Sequence, residues 1–298
     1  MTAPPRETEL AASQQAPPSA PPHATPLSPA TAAHLRSFTP ARVGLRRAGD
    51  SIATNELLDF QCSHARARDA VHAALQSTSL RAELSNIPEL NQSEILLLHS
   101  AASDRQTYLQ RPDLGRKLDE ASRVRLEAHA SSRPGLSYDL AIVIADGLSA
   151  LAVERHAAPL IAALLPALLQ ATPGLRLAPI AIVEQGRVAV ADEVAQALAS
   201  ALVILLIGER PGLSSPDSLG AYITWNPQPG RTSDAERNCI SNIRAEGLSY
   251  AQAAARLLHY VQEARSKQQT GIALKDPGPV NELPQLAAGA NTAQDEIQ

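Results

Sequence analysis

The sequence predicts an α/β protein: a parallel sheet flanked by helices, with a helical N-terminal portion before it and disordered termini. Three observations carry this expectation. Apolar runs of strand length, Leu140 to Ala145, Leu177 to Val183 and Leu202 to Ile207, are separated by helical stretches, and strands buried on both faces of a parallel sheet have this unbroken apolar character. Helical spacing of apolar residues dominates the chain before Tyr138. Proline-rich or small polar residues fill both ends.

Residues 1–35 hold eight of the 23 prolines among Ala, Ser, Gln and Thr, too little aliphatic surface to offset the entropy of ordering, so a disordered tail is expected. A helical portion follows over residues 36–135. Within it Leu57, Phe60, Ala67 and Val71 recur at helical spacing between Thr54 and Leu75, and a second helix is expected from Arg111-Pro112-Asp113, with Leu114, Leu118, Ala121 and Leu126 as its stripe. The sheet domain is placed at residues 136–276. Its first strand runs into Asp146-Gly147, Ser149 caps a helix to about His156, and another helix follows Pro159. A strand over Leu177 to Val183, a helix over Asp192 to Ala201 and a strand over Leu202 to Ile207 complete a βαβαβ order, which implies parallel strands. A loop rich in Gly, Pro and Ser then leads to a short strand, Ala221 to Trp225. Two closing helices are expected, announced by the caps Ser233-x-x-Glu236 and Ser249-x-x-Gln252 and separated by Gly247. Residues 277–298, with Pro277, Pro279 and Pro284, form a flexible extension.

Composition narrows the function. The chain has 298 residues, 44% of them hydrophobic, enough for one substantial core with appendages. A net charge of -4 with mixed signs, and only 3% aromatic residues, disfavour nucleic acid as a partner. Cys62 and Cys239 are too few for a disulfide scaffold, which fits a reducing cytoplasm. The most apolar stretch, Ala157 to Leu169, is 13 residues long and contains two prolines, short of the about 20 needed to span a bilayer, so no membrane association is expected. No secretory signal is visible at the N-terminus. The histidines form no zinc-binding pattern.

In a parallel sheet, ligands bind beyond the carboxyl ends of the strands. Three segments fall there: Asp146-Gly147-Leu148-Ser149, the turn from Glu184 to Val188, and Gly208 to Ser215. The last places Glu209 and Arg210 directly after an apolar strand, which suits a large polar ligand or, equally, a solvated surface loop. Neither G-x-G-x-x-G nor the P-loop pattern is present. Gly147-Leu148-Ser149 has the setting of a nucleophile elbow, but Leu151 replaces its second glycine, which favours Ser149 as a helix cap. Ala235, Cys239 and Ile243 lie four residues apart, so Cys239 is expected on a helix as a buried core residue.

Several ordered strings together resemble the light chain of ethanolamine ammonia-lyase: Tyr108-Leu109, Arg111-Pro112-Asp113-Leu114-Gly115-Arg116, Asp146-Gly147-Leu148-Ser149, Gly186-Arg187-Val188, Gly208-Glu209-Arg210-Pro211-Gly212-Leu213, and Arg237-Asn238-Cys239-Ile240-Ser241-Asn242-Ile243. The similarity covers about residues 40–275. It implies a Rossmann-like lid that holds adenosylcobalamin against a TIM-barrel large subunit. The large subunit would bind ethanolamine and carry most of the catalysis to acetaldehyde and ammonia, by radical chemistry that belongs to the cofactor.

Matching motifs imply cofactor-binding positions at Val188, Glu209 and Cys239, with no catalytic residue and no metal ligand on this chain. Val188 would offer backbone polar groups and an apolar wall, Glu209 an acceptor for corrin amides or the nucleotide tail, and Cys239 a small soft surface. No Asp-x-His-x-x-Gly string is present, so the cofactor is expected to keep its own benzimidazole on cobalt. The Pro/Ala tail and the C-terminal extension match no family motif, and targeting to a bacterial microcompartment stays an alternative to the free cytoplasm. A noncatalytic adaptor and a serine hydrolase using Ser149 are the alternative functions.

Overall fold

The computed structural model describes residues 28–39, 41–276 and 278. The expectations for the N-terminal tail up to residue 27 and for the C-terminal extension, Gly278 apart, lie outside the described residues. The described residues form two compact units that meet in sequence between Leu58 and Asp59.

In the first unit, Ser28 caps α1 (Pro29–Arg36) by accepting the Thr31 amide, so helix begins within the stretch whose composition suggests a tail. A small antiparallel ribbon of β1 (Arg47–Ala48) and β2 (Ser51–Ile52) follows. Arg36 Nη2 lies 3.0 Å from the carboxylate of Glu56, at the start of α2 (Thr54–His72), the long helix that its apolar spacing predicts.

The second unit is built on six strands: β3 (Ile95–His99), β4 (Tyr138–Ala145), β5 (Ile180–Glu184), β6 (Ser200–Gly208), β7 (Leu219–Trp225) and β8 (Arg237–Ile243). Their order is β3-β5-β4-β6-β7-β8. The first four in that order pair in parallel; β7 runs antiparallel to both β6 and β8. Helices cover both faces. On one, Leu140, Ile142, Ile144, Ile204 and Leu206 pack with α3 (Ser77–Ser85), α6 (Ala150–Ala171) and α8 (Tyr250–Lys267). On the other, Ala141, Val143, Val203 and Leu205 pack with α5 (Glu120–Ser131) and α7 (Val190–Ala197). The short α4 (Arg105–Gln110) lies between β3 and α5 in the chain.

Within the second unit the structure departs from expectation in four main places. The helix expected from Arg111 is a single 3-10 turn, Leu114–Arg116; α5 starts later because the Asp119 side chain accepts the Ser122 amide and sets its first turn. The two helices expected around Pro159 are one, α6, of 22 residues. Pro159 is exposed and Pro166 half-buried, so the carbonyls that they leave unpaired lie toward solvent, where water can satisfy them. α6 is thus long and apolar enough to cross a membrane by length and composition, but its apolar side is packed into the core against the sheet and α8. Strand β3, unanticipated, forms the edge beside β5.

The fourth departure bears on the site. Ser233 and Glu236 do form a reciprocal cap, but it closes only the 3-10 turn Asp234–Glu236, and β8 follows instead of a helix. Ile240 and Ile243 turn into the core while Cys239 and Ser241 are exposed, an alternation proper to a strand. Cys239 is therefore an exposed strand residue, not a buried helical one.

Candidate functional site

Strand β4 leads through α6 on one face of the sheet to β5 on its one side, and β5 leads through α7 on the other face to β6 on β4's opposite side. The carboxyl ends of β4 and β6 are thus the switch point at which loops diverge and a crevice opens. A cleft of about 640 Å³ lies there, walled by the β4, β5 and β6 loops and by Tyr222 and Arg237 from the antiparallel strands.

Asp146 directly follows β4 and is fully buried. It accepts the Gly186 amide at 3.0 Å and faces Arg105 Nη1 at 3.4 Å. The same Nη1 donates to the Gly147 carbonyl at 2.8 Å, while Nε donates to the Val71 carbonyl at 2.6 Å. One guanidinium therefore ties the β4 loop to the end of α2. Both Arg105 and Arg187 stack on Tyr108, at 4.7 and 4.5 Å from the ring centre. Gly115 accepts the Arg187 amide at 2.7 Å, and a Cβ on it would stand 3.0 Å from both Arg187 and Tyr108. This is the local reason why the Arg111-to-Arg116 segment sits against the Gly186-Arg187-Val188 turn.

Burial pushes the Asp146 carboxyl up to about 6, overriding the pull of Arg105 and the neighbouring amides. The native state thus keeps a proton that the unfolded chain, titrating near 4, has lost. Stability from this group is complete below about pH 4 and is lost as pH rises through about 6, with a slope of about 1.4 kcal/mol per pH unit in between. Asp146→Asn is expected to remove that component, which urea midpoints of both proteins across this window would show; parallel curves would exclude the shift.

Glu209, half-buried, accepts the Ser218 hydroxyl and, at 3.2 Å, the Asn242 amide. Its own amide donates to the Ser218 carbonyl. These bonds fix the start of the loop and leave its carboxylate on the cleft. Tyr222 faces Cys239 across the β7–β8 pairing. Burial, then Cys239 and Glu209 beside it, push the Tyr222 phenol up to about 12, so it remains a neutral hydrogen-bonding group. At the foot of the cleft Arg237 and Asp192 form a buried bidentate pair, 2.8 and 2.7 Å long.

Val188 and Glu209 therefore share one cleft. Cys239 does not line the cleft; it stands on β8 directly opposite Tyr222, with its sulfur 3.4 Å from Ser241 Oγ. Ser149 is fully buried; its hydroxyl donates to the Pro216 carbonyl at 2.9 Å and accepts the Ala152 amide. That is a helix cap with its proton committed, and no nucleophile. Residue spacing does not reveal Tyr222 or the Asp192–Arg237 pair. Tyr108, Arg116, Arg187 and Arg237 stand inside the strings that carry the resemblance, which is the one available signal for them.

The family model described as "Ethanolamine ammonia-lyase light chain (EutC)" matches residues 29–275. The ethanolamine ammonia-lyase small subunit of Ralstonia nicotianae is 55% identical over 255 residues, 86% of this chain and 90% of its own length. The small subunits of Pseudomonas syringae pv. tomato and Pseudomonas putida KT2440 are each 53% identical, covering 84% and 88% of this chain and 84% and 93% of their own lengths. The chain belongs to the ethanolamine ammonia-lyase light chain family, whose members are components of a lyase.

Proposed function

We propose that this chain is the small subunit of an adenosylcobalamin-dependent ethanolamine ammonia-lyase. It supplies one wall of the cobalamin site, facing a large subunit that binds ethanolamine and yields acetaldehyde and ammonia. The observation that carries this reading is a half-built site at the sheet's switch point, in a chain of this family. Cys239 and Ser241 are exposed and Tyr222 half-buried on one face of β7 and β8, which leaves an open strip of sheet beside the cleft. A planar macrocycle needs such a wall. The Nε atoms of Arg187 and Arg237, both residues of the cleft wall, are buried without hydrogen-bond partners among the described residues, and the Glu209 carboxylate adds an acceptor; these suit the amide-bearing rim of a corrin. A cleft of about 640 Å³ holds only part of a cobalamin, so a second protein wall is required.

When bound, adenosylcobalamin supplies homolysis of its cobalt–carbon bond. This chain's residues bind, orient and exclude water. Val188 offers backbone polar groups and an apolar wall, Glu209 accepts amide hydrogens, and Cys239 packs as a soft apolar group. The reading places the enzyme in the cytoplasm, where its two thiols, both exposed, stay reduced.

The test is to co-purify the chain with a large subunit and measure ammonia released from ethanolamine. Release that needs adenosylcobalamin is expected; a well-formed complex without it would overturn the proposal. In that complex Glu209→Gln is expected to weaken cobalamin binding about tenfold, the effect of one hydrogen bond to a charged acceptor. Absorbance titration reads this directly, and unchanged affinity would remove Glu209 from the site.

A further inference from the structure

We propose that the Val188 side of the cleft is a binding site for a phosphate-class anion, held by Arg116, Arg187 and Arg210 with the amides of Val188 and Ala189. If the reading above holds, the occupant is the phosphodiester of the cofactor's nucleotide tail; this assignment rests on that reading.

Charge balance points there first. Arg116, Arg187 and Arg210 all line the cleft. Arg116 and Arg210 are exposed and make no hydrogen bond or ion pair among the described residues. Arg187 donates through Nη2 to a neutral carbonyl, that of Tyr108 at 3.1 Å, and its Nε is buried without a hydrogen-bond partner among the described residues. Arg116, Arg187, Arg210 and Arg237 outnumber the lining acids Asp192, Glu209 and Asp234 by one, and the acids are directed elsewhere. Asp192 is taken by Arg237 at 2.7 Å, Glu209 accepts from Ser218 and Asn242, and Asp234 lies 3.9 Å from Arg237 Nε. Positive charge is left in excess in a concave site, where its field is focused.

The backbone points the same way. α7 begins at Val190 with Ala189 as its N-cap, which has no capping side chain. The amides of Val188 and Ala189 donate to no acceptor among the described residues. Two consecutive free amides at the positive end of a helix, with guanidiniums around them, match an anion with several oxygens.

The experiment uses the assembled complex and two corrinoids: cyanocobalamin and dicyanocobinamide, the same ring without the nucleotide tail. Arg116→Gln with Arg210→Gln avoids the folding role of Arg187, and Arg187→Gln is the second variant. The expected result is about tenfold weaker cobalamin binding with cobinamide binding unchanged, and competition by inorganic phosphate against cobalamin alone. Unchanged cobalamin affinity with phosphate binding that depends on the arginines, read by phosphorus NMR, would also support the site and name free phosphate as its occupant. Equal losses on both corrinoids, or no arginine-dependent effect on either corrinoid or on phosphate, would overturn it. So would weaker assembly with the large subunit at constant cobalamin affinity, since the arginines would then serve a partner carboxylate. If the unaltered complex binds neither corrinoid, the cofactor reading fails by itself, and the phosphorus NMR result decides the anion site.

Discussion

Arg237→Met is expected to destabilise the chain by about 3–5 kcal/mol, because it leaves the Asp192 carboxylate charged and buried without its partner. The two side chains are only 3% and 1% exposed, and they meet through two bonds of 2.7 and 2.8 Å. Thr224 Oγ1 accepts a further bond from Arg237 Nη1 at 3.1 Å. Water cannot replace what is lost there. Asp192→Asn should cost a similar amount through the stranded guanidinium. Replacing both, Asp192→Leu with Arg237→Met, should recover most of the loss, since well-packed apolar groups often match a buried pair in stability. Pulse proteolysis in urea measures all three. A double variant as weak as the sum of the singles would show that the pair acts independently and that this account is wrong. Because the pair joins α7 to β8 at the foot of the cleft, the single variants should also lose cobalamin affinity, which the stability loss alone would not predict at saturating large subunit.

The parallel centre of this fold is legible in the sequence because its strands are buried on both faces and so carry uninterrupted apolar runs. Tyr138–Ala145 and Ser200–Gly208 each extend the expected strand by no more than two residues at either end. The loops after them fall at the ligand end by topology alone, since parallel strands bring their carboxyl ends to one edge of the sheet. Where expectation fails, local signals compete. The Ser233-x-x-Glu236 cap is real, but a cap fixes only one turn, and Asn238 to Ser241 then alternate core and surface as a strand does. Two prolines suggest a break in α6, but their positions on its outer side let the helix continue. The Asp192–Arg237 pair joins residues 45 apart in sequence, and no spacing rule reaches that far. Of the three positions that the resemblance implies, Val188 and Glu209 meet in one cleft, whereas the exposure of Cys239 follows from a strand where the four-residue spacing predicts a helix.

The cleft owes its shape to a close crossing of two loops, and Gly208 stands at that crossing. The loops after β4 and β6 pass at contact distance: the Leu148 amide donates to the Gly208 carbonyl at 3.0 Å. A Cβ on Gly208 would collide with the carbonyl oxygen of Ser149 and stand 2.6 Å from that of Asp146. Both are backbone atoms, one at the cap of α6 and one on the loop that carries the buried Asp146, so neither can yield without moving a core element. Gly208→Ala is therefore expected to cost about 3 kcal/mol, at the upper end of overpacking, and to displace Glu209, the next residue. Gly147 faces Gly208 and Ile207 from the other side of the crossing and has a φ of +57°, so Gly147→Ala adds left-handed strain to a collision with both. Gly174 supplies the contrast: its φ is +79° with nothing within 4 Å of a Cβ, and Gly174→Ala should cost only about 1 kcal/mol from backbone strain. Thermal unfolding of the three variants ranks them, and cobalamin titration of the assembled complex should show loss for Gly208→Ala and Gly147→Ala but none for Gly174→Ala. If Gly208→Ala melted like Gly174→Ala and kept its affinity, the close crossing of the two loops would not be what shapes the cleft.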